Sequence, residues 1–400
     1  MKQILYGDGI HDDYPAIQEL LDSQISCVYL PAPSVHYTIS STLRIHSNQQ
    51  LKLDAFTRIV LADQSNCSML ENAEPESYNS NICVDGGIWD MNHRNQWPNP
   101  YHFANPLGQK YADRVRELSF SPDNRLFIQA YSGHCFRFNS IHGLIFRNIT
   151  LVNPVVYGAQ FAYVDNFTVE NITFDYTEGS PKLWNMDGVH FEGGCKNGVV
   201  RNLKGACHDD LVAITSDDSI NGDIENISVD NIMAEGCHSA VRMLSVRHRV
   251  RNIHISNVYG SYYVYCICMT KYYDAPGVLG RFENISLDHI YASFCKGTID
   301  VPGNYGPLIH IGQEVVIPRL SVHHLIREEA VCPTPTMEIE KNTEIGSLYL
   351  SHLHTVNRTA APIDTIVNGG TIRRLTLIGC SSGTDRLVVN NGVIEGQTIL

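Results

Sequence analysis

Apolar and polar residues alternate over short stretches of this chain, and one such phrase keeps returning. It reads Phe146-Arg147-Asn148-Ile149-Thr150-Leu151, then Val169-Glu170-Asn171-Ile172-Thr173-Phe174, Val200-Arg201-Asn202-Leu203, Ile224-Glu225-Asn226-Ile227, Val250-Arg251-Asn252-Ile253 and Phe282-Glu283-Asn284-Ile285. Alternation with period two is the pattern of a strand with one buried face. The asparagines follow one another at 23, 31, 24, 26 and 32 residues. Weaker copies at Arg319-Leu320, Ser347-Leu348 and Arg374-Leu375 continue the series, and Gln50-Leu51 and Asn81-Ile82 upstream fit its phase. A strand-rich repeat of variable length in the twenties and thirties predicts stacked β-coils. The expected fold is all-β, a right-handed parallel β-helix. A further Asn often stands five residues before the first, as in Asn166/Asn171, Asn197/Asn202 and Asn221/Asn226. Asn suits the bends between strands because it tolerates left-handed backbone.

The cysteines keep a similar beat. Cys207, Cys237, Cys266 and Cys295 follow at 30, 29 and 29 residues, which predicts a ladder of small buried thiols rather than a redox or metal array. A β-helix leaves its first coil with an open edge, and residues 12–22 are the expected cover. Asp12 or Asp13 would cap this helix, Pro15 fits its first turn, and Ile17, Leu20 and Leu21 share one face. The whole chain, 1–400, reads as a single domain. The beat breaks once, because Asn81 and Asn148 stand 67 positions apart. An inserted loop at about 91–135, carrying Trp97, Tyr101, His102, Phe103, Arg114 and Arg116, is expected near the active-site groove.

Composition narrows the partners. The chain has 400 residues, 43% of them hydrophobic, and a net charge of -13. The acidic balance and the lack of clustered Lys and Arg argue against nucleic acid. No window is apolar enough to span a membrane, and the first residues lack a signal-peptide core. These features lead to an expected cytoplasmic location with the 12 cysteines as thiols. No Cys/His spacing typical of zinc appears, so no metal and no cofactor are expected.

The densest chemistry falls on three successive coils: Asn185-Met186-Asp187-Gly188-Val189-His190-Phe191, then Cys207-His208-Asp209-Asp210-Leu211-Val212-Ala213-Ile214, then Cys237-His238-Ser239-Ala240-Val241-Arg242-Met243. With Val189/Phe191, Val212/Ile214 and Val241/Met243 pointing inward, His190, Ala213 and Arg242 form an outward row. Asp187, Asp210 and Ser239 precede the strands by equal steps. Strict alternation would send Asp209 and Asp210 to opposite faces; a bend before the strand would let both meet solvent. Carboxylates crowded in this way split their proton affinities. One protonated and one ionised carboxyl is what glycosidic hydrolysis uses. The later pair Asp217-Asp218 has no stacked partner in the sequence and is expected in a turn.

Asn185-Met186-Asp187-Gly188 resembles the Asn-Thr-Asp-Gly motif of glycoside hydrolase family 28, the polygalacturonases and rhamnogalacturonases. His208-Asp209-Asp210 with its trailing Ala213-Ile214 resembles that family's Gly-Asp-Asp motif. Gly7-Asp8-Gly9-Ile10-His11-Asp12-Asp13 and Gly86-Gly87-Ile88-Trp89-Asp90 are similar to further segments of pectin-active β-helices. The resemblance implies an inverting hydrolase of a pectin-like α-linked glycan. In it Asp209 is the general acid, while Asp187 and Asp210 position and deprotonate the water. The family's Gly-His-Gly corresponds to Gly236-Cys237-His238-Ser239. Its Arg-Ile-Lys falls near Cys268-Met269-Thr270, with Lys271 one place later. His190, His208, His238, Arg242 and Lys271 are the expected substrate contacts, Arg242 as a carboxylate ligand. Tyr262, Tyr263, Tyr265, Tyr272 and Tyr273 are candidates for sugar stacking or for plain strand residues. The expected partner is an oligosaccharide substrate, and an oligomer is possible. The competing classes are a β-helix lyase, epimerase or fructan-type transferase, and a non-catalytic glycan-binding β-helix of tailspike or adhesin type.

Overall fold

The computed structural model describes residues 4–96, 133–177, 185–297, 305–382 and 386–400. The fold is a right-handed parallel β-helix with one short helix near its start. Its described residues form two compact units: Met1–Asp209 with Asp218–Asn221, and Asp210–Asp217 with Gly222–Leu400. Most of the expected insertion, residues 97–132, lies outside the described residues. No helix among them is long and apolar enough to cross a membrane.

In the first unit the strands Phe136–Val152, Ala159–Asp175 and Lys196–Ala206 pair in parallel, with Ile149 opposite Ile172 and Ile172 opposite Leu203. The Asn-Ile phrase therefore marks equivalent places on successive coils. Asn148, Asn171 and Asn202 have φ of 60°, 58° and 58°, the left-handed bend that Asn enters at low cost. Asn171 Nδ2 donates to Asn148 Oδ1 at 2.9 Å, and Asn202 Nδ2 to Asn171 Oδ1 at 2.9 Å. Each amide thus satisfies the one below it. Asn81 belongs to a different column from the one its spacing suggested. Ile82 lies opposite Leu144, and Gln49 opposite Ile82. Asn81 is thus in line with Asn48, to which it donates at 2.8 Å, and with Gly143 rather than Asn148. Asn81 therefore falls one bend before the Asn148 column. Inside, Phe138, Phe161 and Phe191 stack coil on coil at 5.9 and 5.1 Å between ring centres.

The helix Tyr14–Asp22 covers the first coil, burying Ala16, Ile17 and Leu21. Leu20 is only half-buried, and Ala16 takes its place on the inner face. Gln18 pairs with the backbone of Arg44, accepting its N–H at 2.8 Å and donating to its carbonyl at 3.2 Å. A side chain here occupies strand-edge groups that a missing coil would have paired. Asp13 sits at the N-cap without capping the helix through its side chain. Its carboxylate instead accepts the N–H groups of Tyr6, Gly7 and Thr38. Asp12 takes the N–H of Tyr14 at 3.0 Å.

The second unit continues the same grammar. Ile227, Ile253, Ile285, Leu320, Leu348 and Leu375 lie opposite one another in turn. Asn252 donates to Asn226 at 2.8 Å and Asn284 to Asn252 at 3.0 Å. The register slips between Ala234 and Cys237. There Gly260 has φ +144°, and a Cβ on it would meet the carbonyl oxygen of Ala234, so only glycine fits. Arg327 and Glu329 form a fully buried ion pair at 2.9 Å. All described cysteines are free. Cys207, Cys237 and Cys266 are buried, but Cys295 is only half-buried and Cys237 lies opposite Tyr262 rather than another Cys. The expected thiol ladder therefore holds in burial for Cys207, Cys237 and Cys266 but not for Cys295, and it does not hold in register, which slips beside Cys237.

Candidate active site

In the first unit the strand Val189–Glu192 sends Val189 and Phe191 inward and His190 and Glu192 to its other face. The strand is fixed by its register, with Gln160 opposite His190, and by three bonds just before it. Gly158 N–H donates to the Asp187 carbonyl at 2.9 Å, Ala159 N–H to the Gly188 carbonyl at 3.0 Å, and the Tyr176 hydroxyl to the Asp187 carbonyl at 2.9 Å. Asp187 Oδ2 lies 2.7 Å from His190 Nδ1, with both side chains nearly fully buried. On the other edge of the imidazole, Nε2 lies 3.7 Å from Asp218 Oδ2. Tyr157 stacks on the ring at 4.2 Å. One imidazole thus lies between two carboxylates, bonded to Asp187 and within ion-pair range of Asp218.

Asp209 joins the same segment: its Oδ2 accepts the N–H of Asn185 at 2.6 Å. His208 and Asp209 form the bend expected just before the strand Asp210–Thr215. Beneath His190, Glu192 is fully buried. It accepts from Gln160 Nε2 at 2.7 Å, from the Ser219 hydroxyl and from the Ile220 N–H. Burial pushes its proton affinity up, against the opposing pull of His190. By gripping Ser219 and Ile220, Glu192 fixes the turn that carries Asp218. Glu192, Gln160 and Tyr157 were not singled out in the sequence, and Asp218 was expected only as part of the turn pair Asp217-Asp218. The available signal was periodic: Asp218 follows His190 by about one coil-length.

In the second unit Asp210 lies opposite Ser239, and Ala213 opposite Arg242, as the sequence pattern expected. Asp210 is buried and accepts a bond from the Ser239 hydroxyl. Arg242 Nη1 approaches its Oδ2 at 3.6 Å. The guanidinium lies 4.6 Å from the centre of the exposed Tyr272 ring. Burial opposes the charge of Arg242, but Tyr265 and Asp210 outweigh it and hold its pKa above the usual range. The outward row continues from Arg242 to Cys268 and on to His310. Cys268 Sγ lies 3.6 Å from His310 Nδ1, and His310 Nε2 lies 2.9 Å from Glu340 Oε1. Burial pulls His310 down, yet the bonds to Cys268 and Glu340 win and raise it to about 10.

His238 is half-buried, edge-on to Tyr263 at 5.4 Å and Tyr265 at 5.9 Å. Tyr262, at the end of a strand, and Tyr263, in the bend after it, are both buried. Lys271 is buried too, its ammonium bonded to Glu314 Oε2 at 2.5 Å and to the Ala275 carbonyl at 2.7 Å. It is thereby committed to a local ion pair. Asp217 is a turn anchor. Its Oδ2 accepts the N–H groups of Val246, Arg247 and His248, and Oδ1 faces His248 Nδ1 at 2.6 Å.

Parallel β-helix is the class these features define, and solved structures of that class superpose on nearly the whole chain. An exopolygalacturonase of family 28 from Yersinia enterocolitica matches with TM-score 0.57 at 13% identity, covering 99% of this chain and 76% of its own. A tailspike protein of E. coli bacteriophage HK620, solved with a pentasaccharide, matches with TM-score 0.56 at 11% identity over 99% and 78%. An endo-xylogalacturonan hydrolase from Aspergillus tubingensis matches with TM-score 0.53 at 15% identity over 96% of both chains. Sequence comparison matches no family model and no curated protein.

Proposed function

We propose that this protein is a glycoside hydrolase that cleaves an acidic, pectin-type oligosaccharide by acid/base catalysis. The observation that carries the reading is the linked set Asp187–His190–Asp218, with Asp209 bonded to the same Asn185–Asp187 segment. Asp209 would protonate the leaving oxygen. Asp187, oriented by His190, would draw the proton from the attacking water. Asp210, held by the Ser239 hydroxyl and near Arg242 within the second unit, is the residue to which the family resemblance gives a second water-directing role. An acidic sugar is supported independently by the outward row of the second unit, where Arg242 and a protonated His310 flank Cys268. A sugar carboxylate pairs with such cations, and a guanidinium does so bidentately.

Two named solved neighbours are hydrolases of galacturonan-type polymers, which supports the reaction class. The third is a phage tailspike, which favours a second reading: glycan binding without turnover. A lyase would need a cationic base, and Lys271 is committed to Glu314. The reading includes a cytoplasmic setting, for which the free thiols are the support. The test is turnover of a panel of pectic oligosaccharides by wild type, Asp187→Asn and Asp209→Asn. Each substitution should lower kcat by roughly a hundredfold to ten-thousandfold with little change in substrate binding. Binding by all three proteins with turnover by none would establish the second reading instead.

A further inference from the structure

The second unit carries a column of histidines that the proposed function does not use. The column begins with Asn231 and Asn257, both in the left-handed bend, and continues in the same conformation with His289, His324 and His352, at φ of 52°, 52° and 54°. The neighbouring register pairs, Ile232 with Val258, Val258 with Ile290, Ile290 with Leu325 and Leu325 with Leu353, put these five residues on successive coils. Asn can continue an amide ladder through such bends, whereas imidazole cannot. The rings stack instead, His289 on His324 at 4.5 Å and His324 on His352 at 5.0 Å.

Beside them Asp288 turns its carboxylate across two coils. Its Oδ2 lies 2.9 Å from His289 Nδ1, and its Oδ1 lies 3.2 Å from His324 Nδ1. One donor atom from each of the three residues falls within 4.8 Å of the others. All three side chains are partly open to solvent, at 30%, 42% and 47%. Two imidazole nitrogens and a carboxylate, with open sides for water, form a donor set for a divalent first-row transition metal. The next histidine along, His323, is turned away toward Ser351 Oγ at 2.8 Å.

We infer that Asp288, His289 and His324 form a surface site for a divalent transition metal, which clips two adjacent coils of the β-helix together. The bound ion would sit between the two Nδ1 atoms and the carboxylate. Water, or His352 after a ring rotation, completes its coordination. This site is independent of the proposed hydrolase reading.

The test uses the full chain, freed of metal by chelator and titrated with Zn²⁺ in a calorimeter. One saturable site per chain is expected. Its affinity should fall at least about tenfold in Asp288→Asn and in His324→Gln. Zn²⁺ should raise the thermal midpoint of wild type and not of Asp288→Asn. Co²⁺ in place of Zn²⁺ should give visible bands without a strong thiolate charge-transfer band, which separates this site from the cysteines. Superimposable titrations of wild type and both variants would overturn the inference. So would a thiolate band at the first equivalent, or the lack of any saturable site in wild type.

Discussion

Replacing Asn171 tests the link between the repeat and the fold. Its side chain donates to Asn148 and accepts from Asn202, both at 2.9 Å, and its backbone holds φ of 58°. Alanine removes both bonds and puts a Cβ into a left-handed bend. Two exposed neutral hydrogen bonds are worth about 1–2 kcal/mol together, and the bend costs an ordinary residue about 1–2 kcal/mol. Asn171→Ala should therefore lose about 2–4 kcal/mol. Asn171→Gly loses the same bonds but enters the bend freely. After the extra entropy of a Gly in the unfolded chain it should retain up to about 1 kcal/mol relative to Ala. Guanidinium denaturation followed by far-UV circular dichroism gives both midpoints at comparable slopes. A Gly variant less stable than the Ala variant, or an Ala variant matching wild type, would refute the account of the ladder as a device that holds each bend.

Other consequences are equally concrete. Arg327→Met leaves Glu329 buried with, among the described residues, the N–H groups of Phe294, Val331 and Cys332 as partners, and should cost about 3–5 kcal/mol in the same denaturation assay. His310 keeps its proton to about 10 in the folded chain against an ordinary 6.5. The stability this adds is complete below 6.5 and is lost as pH rises through about 10. Wild type should therefore lose stability over that window more steeply than His310→Gln, measured as denaturation midpoints across pH. Burial raises Asp217, but the bonds from His248 and the backbone outweigh it and lower its pKa below 3.8. Its contribution is present above 3.8 and is lost as pH falls through the lower folded value, so Asp217→Asn should flatten the acid limb of the same profile.

The coils were legible because Asn-Ile reports two things at once, a bend that needs left-handed backbone and the inward residue after it. Ile149, Ile172 and Leu203 fall in register for that reason. Asn81 was assigned to the wrong column because spacing fixes phase only where coils are of similar length. The alignment of Val212 with Val241 and of Ala213 with Arg242 followed from alternation alone. Asp218 and Glu192 did not, since their roles arise from a turn that folds back onto His190. His310 reaches the row of Arg242 although it follows Cys268 by 42 residues, an interval longer than the repeat. The histidine column was hidden from spacing rules for metal sites, because its members sit on different coils and meet only through stacking.

The central claim is hydrolysis by the carboxylates of the Asp187–Asp209 region. The most direct measurement is mass spectrometry of the products formed from acidic oligosaccharides in heavy-oxygen water, with wild type and Asp209→Asn side by side. The account predicts a product that gains one water, with the heavy oxygen at the new reducing end, formed by wild type and lost in the variant. An unsaturated product without the label, or labelled product formed equally by Asp209→Asn, would contradict it.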